Sequence, residues 1–168
     1  MPKDTPHPGL KTVLIGGCLA AALDILDPIV FYGARGVPAI RILQSVAAGL
    51  LGRAAYTGGL RTALLGLALH LFIAFTWAAV FVLAARSLAF LTRHAIVSGL
   101  LCGAVIYLVM NFVVLPHTLA APRSQPTGIF LINGVAAILL LVGLPISLVN
   151  RSFTPNTTRP RVSSKTHA

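Results

Sequence analysis

Four stretches of the chain read as nearly unbroken apolar runs: 12–32, 62–84, 95–115 and 128–149. A helix needs about 20 mostly apolar residues to cross a hydrocarbon core about 30 Å thick, because each residue rises about 1.5 Å. All four runs meet that length, so the pattern predicts an all-α membrane protein with four transmembrane helices in one domain over 12–150. Polar residues mark the ends. Arg61 and Arg86 bound the second run, Arg93 and Pro116 the third, and Asn150 and Arg151 close the fourth. Gly143 and Pro145 give the fourth run a reason to bend.

The segment between the first two runs is patterned differently. From Pro38, a residue suited to a first helical turn, Ile40, Leu43, Val46, Ala47, Leu50 and Leu51 recur at helical spacing. Arg41, Gln44, Ser45 and Arg53 fall mostly elsewhere on the wheel. This predicts an amphipathic helix over about 38–56, too polar to span and suited to lie in the membrane interface. A re-entrant helix packed on the bundle is the alternative, which Gly49 and Gly52 would permit. The flanks 1–11 and 151–168 read as tails, the second basic and disordered.

Composition agrees with the pattern. The 168 residues are 57% hydrophobic and 10% charged, where a soluble domain carries about 25% charged residues. The net charge of +10 is split among loops and ends, with no basic face interleaved with aromatics, which argues against nucleic acid as a partner. Its expected partners are the bilayer, with anionic headgroups at the basic loops and tail, and a second copy or another membrane protein. Four spans put both termini on one side. That side would hold eight cations and the other five (Arg35, Arg41, Arg53, Arg61 and Arg123), so the positive-inside rule places both termini in the cytoplasm.

Against this background the acids stand out. The chain has three Asp and no Glu, and two of the three, Asp24 and Asp27, lie inside the first run. An ionisable group at mid-bilayer costs at least about 2.5 kcal/mol and is a functional-site hypothesis by default. Counting along the helices, Asp24 and His70 each lie about 12 Å below the same surface. Asp27, Tyr107, Asn111 and Asn133 fall in the same half, which the amphipathic segment with Gln44 caps. Faces agree with depth. Gly17, Ala20, Ala21, Asp24 and Asp27 share a stripe, as do Ala63, Gly66, His70 and Ala74, and Gly99, Gly103, Tyr107 and Asn111. Small residues mark where membrane helices approach one another, so these polar groups are expected to point inward and meet. Asp24 and His70 should pair, with Tyr107 or Asn111 nearby. Asp27, just before Pro28, is expected to pair with Arg35, Arg53 or Arg61.

Known reaction chemistries find little support. A second intramembrane His for haem is missing, and Asp24, Asp27 and His70 lack a spacing that would enforce metal geometry. No GxSxG, HExxH or phosphate loop occurs. No cofactor or metal is expected. The leading expectation is a non-enzymatic binding or accessory protein with a polar intramembrane cluster. A subunit of an oligomeric proton- or cation-coupled transporter is the alternative, and a small lipid-modifying enzyme built on an Asp/His pair the third.

A set of short motifs adds a family likeness: the run from Gln44 to Gly52, the run from Gly66 to His70, Tyr107 with Met110-Asn111 and Leu115-Pro116, and the run from Val142 to Pro145. Together they resemble an uncharacterised family of small four-span bacterial inner-membrane proteins, over roughly residues 12–150. The resemblance implies a bacterial inner-membrane location and no particular activity.

Overall fold

The structure, a computed structural model, describes residues 8–120 and 126–154. Four helices are long and apolar enough to cross a membrane: α1 (Gly9–Gly33), α3 (Gly59–Ser87), α5 (Ala95–His117) and α6 (Ile129–Phe153). Between them lie α2 (Ala39–Leu51) and the short α4 (Ala89–Arg93). The protein is therefore an all-α, multi-pass membrane protein. Each spanning helix extends past the apolar run that announced it, because an interfacial turn can stay helical after its side chains become polar. α6 continues to Phe153, so the first residues assigned to the basic tail are helical. The remainder of that tail, the N-terminal seven residues and Arg123 lie outside the described residues.

The core is built from small side chains and a few large ones. Ala20, Ala78, Phe81, Ile106, Val142 and Ile146 form its centre, with Trp77, Met110 and Ile138 packed against them. Large aliphatic and aromatic side chains face outward instead. Val30 and Phe72 are each 68% exposed. That inversion suits a chain whose solvent on the outside is hydrocarbon.

Glycine sets the closest approaches. A Cβ on Gly143 would collide with the Gly99 carbonyl oxygen, and one on Gly103 would lie 2.6 Å from Leu139 Cα. α5 and α6 therefore touch backbone to backbone. At one end of this contact the Ser147 hydroxyl donates to the Ala95 carbonyl at 2.7 Å. Likewise, a Cβ on Gly66 would collide with the Leu43 carbonyl oxygen, which seats α2 directly on α3.

α2 differs in detail from its sequence pattern. Its buried residues are Ile42, Gln44, Ala47 and Ala48, while Ile40, Leu50 and Leu51 are exposed. The wheel had assigned Gln44 to the polar face and Ile40, Leu50 and Leu51 to the apolar one. In a membrane, close packing and polar satisfaction select the interior face more than hydrophobicity does. Ala47 fits against Gly66 and clusters with Ala48 and Ala55, and Gln44 Nε2 donates to the Gly59 carbonyl at 3.0 Å and to Thr62 Oγ1 at 3.3 Å. α2 thus runs beside the first turns of α3. Gly52, at φ +58°, ends it, and a 3₁₀ segment (Gly52–Thr57) returns the chain. The Leu119 amide donates to the Gly49 carbonyl at 3.0 Å, tying α2 to the end of α5.

Three spanning helices are irregular. Pro28 interrupts α1. Because proline has no N–H, the Asp24 carbonyl loses its usual intrahelical donor. α5 widens to a π-helix at Met110–Val114 and α6 at Ile138–Gly143, shortly before Pro116 and Pro145 respectively.

Candidate functional site

Asp24 and Asp27 stand one turn apart on α1 and line a single cavity of about 230 Å³. His70 of α3 and Asn133 of α6 contribute to its polar wall, and Tyr32 and Ser45 also line it. Ile42 and Val46 of α2 close one side. Depth counting and the small-residue stripes had placed Asp24, Asp27, His70 and Asn133 together, and the structure places them so.

His70 faces a polar group at each ring nitrogen. Nε2 lies 2.9 Å from the Ala21 carbonyl oxygen. A carbonyl only accepts, so Nε2 carries hydrogen. Nδ1 then faces Asp24 Oδ2 at 3.9 Å. That separation is too long for a direct hydrogen bond and suits a bridging water or an ion pair. The expected Asp24–His70 pairing is present. His70 is nearly enclosed, while the Asp24 side chain is 32% exposed and opens to the cavity.

Asp27 departs from expectation. Its Oδ2 accepts from Asn133 Nδ2 at 2.8 Å, and no arginine pairs with it among the described residues. Two arginines of this half are held against aromatic rings. The Arg35 guanidinium lies 3.8 Å above the Phe31 ring and donates to the Phe31 carbonyl. Arg41 lies over Tyr56 at 5.4 Å. The cation–π contact occupies Arg35, one of the three expected partners, and the Asp27 carboxyl group is met by an amide.

Tyr107 and Asn111 are not brought to the cluster. Asn111 Nδ2 donates to the Tyr107 carbonyl of its own helix at 3.0 Å. α5 reaches the site through Ile106 and Met110, which line a second cavity of about 180 Å³ beyond Asp24 and His70. Gly99 and Gly103 turn their stripe onto α6, and neither Tyr107 nor Asn111 lines either cavity. Gln44 is a fastener between α2 and α3 and does not line the cavity. Tyr32 and Ser45 were missed as cavity residues. Ile42, Ser45 and Val46, at i, i+3 and i+4, share the face that α2 turns to the acids, and that spacing was the available signal.

What the arrangement offers is two carboxyl groups, one imidazole and one amide, with the side chains of Tyr32 and Ser45, in a mostly apolar chamber. No family model, curated protein or solved structure matches the chain, so the resemblance drawn from its motifs stands alone and the functional reading rests on the chemistry of this cavity.

Proposed function

We propose that the protein is a non-enzymatic binding protein of a bacterial inner membrane, whose intramembrane cavity holds a small ligand. One observation carries this reading: both intramembrane carboxyl groups of α1 open into one cavity whose other polar walls come from α3 and α6. A purely structural acid would be enclosed and saturated by partners, but Asp24 keeps a third of its side chain open. Native mass spectrometry of the chain released from membranes tests the proposal. The wild type should retain a small molecule that the Asp24→Asn, Asp27→Asn double variant lacks. Identical spectra would sink it.

A specific feature favours a second reading, an oligomeric proton- or cation-coupled transporter. Pro28 and the π-helical segments of α5 and α6 interrupt three spanning helices that line the two cavities. Interrupted helices are where transporters place their coupling sites. In vesicles loaded with a pH-sensitive dye, a proton flux abolished by Asp24→Asn would establish the transporter. Absence of flux in both forms leaves the binding protein.

The charge pattern supports an orientation with both termini cytoplasmic. In a background lacking Cys18 and Cys102, cysteines introduced by Thr5→Cys and Arg123→Cys should label from opposite sides of the membrane. Labelling from the same side overturns the arrangement.

A further inference from the structure

The acid-lined cavity does not end at Asp24. A second chamber of about 180 Å³ shares Asp24, Val46, His70 and Ile138 with it as common wall. Its other walls are apolar, among them Trp77, Ile106, Met110 and Val142. An enclosed apolar cavity of about 150 Å³ is known to take up benzene. The second chamber therefore has room for an apolar group of about six carbons. The first presents two carboxyl groups whose charge no arginine or lysine offsets among the described residues, since their partners are one imidazole and one neutral amide. Carboxylates at low dielectric call for a cation beside them. A bare metal ion fits poorly, because among the described residues no three His, Cys, Asp or Glu side chains converge as ligands. The Asn133 amide turns a donor, not an oxygen, to Asp27.

Resting on the reading of the cavity as a binding site, we infer that its ligand is an amphipathic amine: an ammonium group held by Asp24 and Asp27, joined by a short spacer to an aromatic or aliphatic group of about six carbons in the chamber beside Trp77. The ammonium donates to the free carboxyl oxygens. An anion of the same shape meets two acids and is excluded.

Trp77 is the single tryptophan of the chain and lines the inner chamber, so its fluorescence reports occupancy. The full chain in lipid nanodiscs is titrated with 2-phenylethylamine, its neutral counterpart 2-phenylethanol, and ethylamine. The amine should give a saturable spectral shift. The alcohol should need at least about tenfold higher concentration, and ethylamine should displace the amine only at concentrations at least about tenfold higher. Asp24→Asn and Asp27→Asn should each weaken the amine about tenfold or more. These ligand comparisons are made on the wild-type chain, so a variant that fails to fold does not remove the test. Equal response to the alcohol and the amine overturns the proposal. A non-amine retained in native mass spectra and lost in the Asp variants overturns the ligand class while leaving the binding reading in place. No retained molecule and no response to any probe overturns both.

Discussion

Gly143→Val is expected to keep the bundle from assembling. The added Cβ would fall on the Gly99 carbonyl oxygen, with the backbone of Gly103 also inside contact distance. Every atom it meets is main chain, so no side chain can rotate aside, and α5 and α6 must separate along their length. Overpacking a tight core costs about 1–3 kcal/mol and sometimes more. A backbone collision belongs at or above the upper end. Gly66→Val should behave similarly, since its Cβ would strike the Leu43 carbonyl and lift α2 from α3. Gly134→Ala is the control. Nothing lies within 4 Å of its Cβ, and alanine favours the helix by up to about 1 kcal/mol. Thermal unfolding in mild detergent should show the first two variants lost or strongly destabilised and the third at or above wild type. A stable Gly143→Val protein would mean that α5 and α6 do not meet at these glycines.

The sequence carried the helices and about half of the site, for identifiable reasons. Hydrocarbon outside the protein demands long apolar runs, so 12–32, 62–84, 95–115 and 128–149 each mark a spanning helix. A helix also converts residue count into depth, which is why Asp24 and His70 could be paired from sequence alone. The reasoning failed where helices turn. A stripe of small residues shows that a face is packed but not against which neighbour. The stripe containing Gly99 and Gly103 meets α6, so Tyr107 and Asn111 turn away from the cavity. Asn111 also sits in the π-helical segment Met110–Val114, where 3.6-residue periodicity no longer predicts direction. The wheel of α2 failed for another reason. It ranks positions by hydrophobicity, whereas Ala47 and Ala48 are buried for their size and Gln44 for its hydrogen bonds.

Among the polar side chains, His70 should be the least replaceable for stability. It joins α1 to α3 at two points: Nε2 at the Ala21 carbonyl, 2.9 Å away, and Nδ1 facing the Asp24 carboxyl at 3.9 Å. His70→Leu removes both contacts and leaves Asp24 with no ionisable partner from another helix among the described residues. Removing one member of a fully buried pair costs about 3–5 kcal/mol. Asp24 remains partly open to the cavity, where water can reach it, so the loss should be smaller, about 2 kcal/mol. The size of the loss alone does not identify the pair, because the Ala21 contact contributes as well. A double-mutant cycle separates them. If Asp24 and His70 interact, His70→Leu should cost less in an Asp24→Asn background than in the wild type, because the asparagine carries no charge to strand. Coupling between polar groups on different membrane helices averages about 0.6 kcal/mol and reaches about 1.7. A charged pair belongs in the upper part of that range. Reversible unfolding of the four proteins in mixed micelles gives the coupling directly. Additive losses would show that His70 serves Ala21 alone, and would leave Asp24 free to meet whatever enters the cavity.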